Sequence, residues 1–168
     1  MRERLERRLN AYWKLEAANV VVLPAVATWL VLRAGDAVSA PMVLSMVATS
    51  ALLVVGAIAW RMELAGLRSE RDFAPRVLPW LALVQSPTLL LSLASVGGAV
   101  FEVWRESWSP SAIAAATLAA LAVLEYINYY VVQLQHFDHA ADFKRLLSGR
   151  GFREAHLAKA LRAYRTRS

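Results

Sequence analysis

Four apolar blocks, residues 17–32, 41–60, 77–103 and 112–134, dominate this 168-residue chain and are separated only by short charged segments. About 20 residues of helix cross the hydrocarbon core of a bilayer. The first block reaches that length only with Leu15, Glu16 or Arg33 at the interface, whereas the third has residues to spare for tilt or bending. With 58% apolar residues and a mean hydropathy of +0.39, a water-soluble domain of this size would expose too much apolar surface. The pattern predicts an all-α integral membrane protein: four transmembrane helices in an antiparallel bundle, spanning about 17–33, 41–60, 77–103 and 110–135. An N-terminal amphipathic helix over 1–16 should precede the bundle, and a cytoplasmic helical extension over 136–168 should follow it.

Charge orients the spans. Of 19 Lys and Arg, only Arg33 and Arg105 lie in the first and third connections, so the positive-inside rule puts both termini and the middle loop in the cytoplasm. The net charge of +6 is thus a topology signal and gives no support to nucleic-acid binding. The tryptophans repeat the partition, with Trp13, Trp60 and Trp80 at the expected inner interface and Trp29, Trp104 and Trp108 at the outer. The chain has no cysteine, which excludes disulfides, thiolate metal sites and cysteine nucleophiles. The acid-containing charged stretch from Arg2 to Lys14 does not resemble a cleaved signal, so the first block is expected to remain as a helix.

Local signals refine the elements. Leu5, Leu9, Tyr12 and Trp13 form one stripe over residues 2–16, a segment expected to lie on the membrane surface before the chain turns into the bilayer. Pro41 suits the first turn of the second helix, and Ser109 followed by Pro110 reads as a cap and first-turn proline for the fourth. Residues 61–76 read as the middle loop, with Pro75 as its stop. Nothing from Leu134 to Leu147 breaks a helix, so the fourth helix is expected to run on to Leu147 and project into the cytoplasm. A last helix at about 152–165 carries Leu157, Leu161 and Tyr164 on one stripe.

Glu125 is the most informative residue. A carboxyl inside a span is costly and normally faces the bundle interior with a partner. Asn128 and Tyr129 follow it at helical spacing, and His136 and His139 continue the stripe. On the third span Gln85 and Thr88 lie at a matching depth, and Pro87 frees the carbonyl of Leu83. On the first, Pro24 frees the carbonyl of Val20 close to Asn19 and Glu16. The candidate intramembrane polar cluster is therefore Glu125, Asn128, Tyr129, Gln85, Thr88 and Asn19. His136, His139 and Asp142 are weaker candidates for a metal, because that spacing also suits polar residues at a membrane interface. The sequence Leu-Glu-x-x-Asn occurs twice, at Leu15 to Asn19 and at Leu124 to Asn128, too short a match to define a repeat. In the outer half Gly97, Gly98, Ala112, Ala116 and Ala120 are small enough for close helix approach, which suggests a bundle closed outside and open inside.

No Gly-x-Ser-x-Gly elbow, His-Glu-x-x-His helix, P-loop or histidine-rich box occurs in the chain. Catalysis is therefore the third-ranked expectation, as a metal-dependent membrane enzyme, and no cofactor is expected. The leading expectation is a small accessory or scaffold subunit in a bacterial inner membrane, joined to a membrane-protein partner or to further copies of itself through cytoplasmic helices and lipid-facing surfaces. Basic terminal segments should also contact anionic lipid at the cytoplasmic face. The alternative is a binding or transport protein with a cytoplasm-facing polar cavity around Glu125, suited to a lipid, a quinone, a small ligand or protons. An enclosed, ligand-sized cavity at Glu125 would favour the second reading, and solid packing the first.

Overall fold

The computed structural model describes residues 2–134 and 153–166, and every regular element among them is a helix. These are α1 (Arg2–Arg33), α2 (Ala40–Leu67), α3 (Phe73–Glu106), α4 (Pro110–Tyr130) and a short α5 (His156–Arg165). The first four are long and apolar enough to cross a membrane.

The helix starts follow from local chemistry. Ser39 caps α2 by accepting from the backbone N–H of Met42, with Pro41 in the first turn, and Ser109 caps α4 through Ala112 with Pro110 beside it. At the end of α1, Gly35 takes a φ of +78°, which lets Asp36 N–H close back onto the Val31 carbonyl. The end of α2 repeats this closure, from Glu70 N–H to the Ala65 carbonyl, with Ser69 at a φ of +60°.

Three boundaries differ from expectation. Residues 2–16 are not set off by a turn but form one unbroken helix with the first span. The middle loop shrinks to residues 68–72, because 61–67 continue α2 and Pro75 falls in the first turn of α3, where a missing N–H costs nothing. Most consequentially, α4 stops at Tyr130 instead of running to Leu147. The N–H groups of Val131 and Val132 both close on the Ile127 carbonyl, and the Asn128 side chain accepts from Leu134 N–H at 2.8 Å. After the turn at Val131, Val132 bridges antiparallel to Glu154, through Gln133 N–H to the Arg153 carbonyl and Ala155 N–H to that of Val131.

Packing centres on α2, which touches α1, α3 and α4, while α3 and α4 also pack together. By contrast α1 leans on α2 and scarcely touches α4. Only Leu9, Glu16 and Val31 of α1 are buried, at the spacing of one helical face. Helix α4 buries Ala112, as expected, together with Ala115, Ala119 and Ala122; of the other two expected alanines, Ala116 is half-buried and Ala120 is exposed. Gly98 lies against Pro41 and Leu44 at ordinary contact distance, whereas Gly97 faces open space.

Helix α5 is part of this core. Leu157 and Leu161 are 2% exposed and join Ala59, Met62, Leu81, Tyr129 and Tyr130 in one cluster. His156 Nδ1 lies 3.7 Å from Glu63 Oε1 on α2, and Arg165 donates to Gln85 on α3 at 2.6 Å. The apolar stripe of the last helix is thus covered by its own bundle. Leu161→Ala should lower stability by about 2 to 5 kcal/mol, read as thermal unfolding in detergent, with the four spans still inserted. An unchanged unfolding midpoint would mean that α5 does not dock.

Candidate intramembrane polar site

Glu16 lies on the buried face of α1, seven residues after Leu9. Its Oε1 accepts a 2.7 Å hydrogen bond from the Tyr129 hydroxyl of α4, and both side chains are buried. Tyr129 reaches it by crossing α2 at Gly56, where an added Cβ would lie 2.4 Å from the tyrosine oxygen and 2.5 Å from the ring. Gly56 is therefore required by the close approach of a ring, whatever its own backbone preference. One turn further along α2, the Trp60 indole lies beside both Glu16 and Tyr129. Tyr12 of α1 packs on the other side of that indole, at 5.3 Å between ring centroids.

Glu125 sits one turn before Tyr129, with its carboxyl near Asn128, Tyr129 and Glu16. Its Oε2 is buried and has no hydrogen-bond partner among the described residues. Two carboxyls from α1 and α4 thus share one interior site, close enough to repel when both are charged. The adjoining cavity, lined by Trp60, Glu63, Asn128, Tyr129, Gln133 and His156 among others, measures about 30 Å³. That volume holds one or two waters and is far below the size of a lipid or quinone site.

The expected cluster is brought together only in part. Glu125, Asn128 and Tyr129 lie side by side, but the Asn128 oxygen is used to close the end of α4. Gln85 accepts from Arg165, and the Thr88 hydroxyl donates within its own helix to Val84 and Gln85, so both spend these polar groups elsewhere. Asn19 is half-buried on α1. His136, His139 and Asp142 lie outside the described residues; among those described, no three metal-ligating side chains gather. The carbonyl that Pro24 frees at Val20 does find a donor, the Ser50 hydroxyl of α2 at 3.0 Å.

Glu16, Gly56 and Trp60 were not in the expected cluster. Glu16 carried a signal all the same: it and Glu125 occupy the same position in the two Leu-Glu-x-x-Asn segments. Gly56 and Trp60 carried none, since a glycine and an end-of-block tryptophan are ordinary in a span.

The opposite end of the bundle is tied by a second polar knot. Asp36, in the turn after α1, accepts from Ser111 N–H at 2.9 Å and from Ala37 N–H at 2.8 Å. Ser111 Oγ in turn donates to Ser39 Oγ at 2.8 Å, joining the starts of α4 and α2. Those backbone donors, Ser111 first, hold the Asp36 carboxyl below the usual carboxylate range. Nearby in sequence to the start of α4, Glu102 is buried at the end of α3, and neither of its oxygens has a partner among the described residues.

Comparison with protein-family models, with curated proteins and with solved structures finds no match. Function is therefore read from geometry alone.

Glu125→Gln tests whether the carboxyl's charge matters to the fold. Glutamine keeps the shape and removes one of two facing acids, so thermal stability in detergent should stay unchanged or rise. A loss of more than about 1 kcal/mol would show instead that the acid itself holds the helices together.

Proposed function

We propose that this chain is a small accessory or scaffold subunit of a membrane assembly, an antiparallel four-helix bundle with both termini cytoplasmic in a bacterial inner membrane. One observation carries the reading: the interior carboxyl Glu16 is spent on a bond between helices, Tyr129 to Glu16, beside a cavity of only about 30 Å³. Other interior polar groups serve the same purpose, with Thr49 donating to the Leu118 carbonyl at 2.8 Å and Tyr130 to that of Leu81 at 3.1 Å. A bundle held in this way is a rigid platform. Its partner surface is assigned to α1, where Leu15, Val22, Val26 and Leu30 form an exposed stripe on a helix that little else covers. Leu157 and Leu161 of the α5 stripe are taken up by the bundle.

A second reading, a protein that binds protons or a small cation, is favoured by Glu125 Oε2, which is buried near a second carboxyl and has no hydrogen-bond partner among the described residues. The same Glu125→Gln variant separates the two, since such a protein would lose pH-dependent proton uptake in vesicles while keeping its stability.

A photo-crosslinking residue at Val22 or Leu30 should give one discrete protein adduct in native membranes. The same residue at Leu83 or Leu90, exposed on α3, should give lipid adducts only. Lipid adducts alone at all four positions would remove the partner-binding role of α1.

A further inference from the structure

On another face of α1 the helix parts from α2 and leaves an open groove of about 980 Å³. Val21, Ala25 and Trp29 of α1 and Val43, Val47 and Ala51 of α2 are among its walls. The groove also contains the hydroxyls of Thr28 and Ser50, and both are turned to the protein, Ser50 onto the Val20 carbonyl and Thr28 towards the Met46 sulfur. What remains to greet an occupant is hydrocarbon. Such a slot suits a chain with no polar atoms of its own, since any polar group placed there would go unpaired.

The end of the groove nearest the α1–α2 turn is different. Trp29, one of its walls, carries the Arg33 guanidinium over its ring at 5.4 Å, and Arg33 is exposed. An aromatic ring with a cation stacked on it, next to a mainly apolar slot, matches a phospholipid: acyl chain in the slot, phosphate at the guanidinium.

We propose that the α1–α2 groove is a binding site for one phospholipid of the leaflet facing the α1–α2 turn, held by an acyl chain against Ala25 and Ala51 and by its anionic phosphate at Arg33. The site borders the stripe of Leu15, Val22, Val26 and Leu30 at Trp29, seven residues after Val22, but Ala25 and Ala51, against which the acyl chain lies, are not part of that stripe. It is also at the opposite end of α1 from the basic residues 2–14. Arg33 supplies preference among headgroups, and the slot supplies retention. The two contributions can therefore be removed one at a time.

The experiment is native mass spectrometry of the full chain released from detergent, after incubation with palmitoyl-oleoyl phosphatidylglycerol, the matching phosphatidylcholine or dioleoylglycerol. The unaltered chain should retain one phospholipid, with phosphatidylglycerol favoured over phosphatidylcholine by about five-fold, the contribution of one cation near a membrane surface. Arg33→Gln should bring that ratio close to one without abolishing retention. Filling the slot with Ala25→Leu and Ala51→Leu, at an exposed and a half-buried position of its walls, should abolish retention of both phospholipids while the unfolding midpoint in detergent stays close to that of the unaltered chain. Dioleoylglycerol, which has the acyl chains and no phosphate, retained as well as phosphatidylglycerol would overturn the assignment of the phosphate. Equal retention by the slot-filled chain would overturn the site. A dimer mass that disappears on filling the slot would assign the groove to a second copy of the chain and also overturn the proposal.

Discussion

One hydrogen bond, from the Tyr129 hydroxyl to the Glu16 carboxyl, joins two helices that otherwise scarcely touch. In the bilayer core water is scarce, so a hydroxyl or carboxyl there gains most from a partner within the protein. That constraint explains why α2 sits in the middle. It offers Gly56 for the tyrosine to pass, Thr49 to the Leu118 carbonyl of α4 and Ser50 to the Val20 carbonyl of α1. Each such bond contributes on the order of 0.6 kcal/mol in a membrane protein, so a set of them fixes helix rotation more than it fixes total stability.

The two ends of the bundle are closed by different chemistry. At the turn end Asp36, Ser39 and Ser111 hold three chain segments together through backbone N–H groups and hydroxyls. At the other end α5 plugs the bundle with Leu157 and Leu161, flanked by His156 near Glu63 and by Arg165 on Gln85. The sequence had suggested one closed end and one open. The open end vanishes because α4 stops at Tyr130 and the chain returns through 153–155 to lay α5 against α3 and α4.

Much of the fold was legible, and what was not has identifiable causes. The four spans follow from apolar block length, and the starts of α2 and α4 from a serine cap with a proline in the first turn. The free Val20 carbonyl could be read from Pro24, but its donor Ser50 could not, because partner choice depends on how two helices are rotated against each other. Rotation also misled the reading of α4: alanines four apart look like a stripe, yet the inward face follows Ala112, Ala115, Ala119 and Ala122. The end of α4 was hidden because local propensity allows helix through Val131 and Val132, and only pairing with a segment about 20 residues later makes extended backbone the better choice. In the candidate site, Glu125 and Tyr129 were visible as polar groups inside a span. Glu16 was masked by its place at the edge of the first block, even though its Leu-Glu-x-x-Asn context matches that of Glu125.

The central claim, that the Tyr129 to Glu16 bond fastens α1 to the rest of the bundle, is tested most directly by a double-mutant cycle. Tyr129→Phe, Glu16→Leu and the double variant would be unfolded in detergent alongside the unaltered protein. Loss of the bond in either single variant should make the second change nearly free, giving a coupling energy of about 0.6 kcal/mol or more. Single effects that add to within about 0.3 kcal/mol would contradict the claim and leave α1 held by its packing on α2 alone.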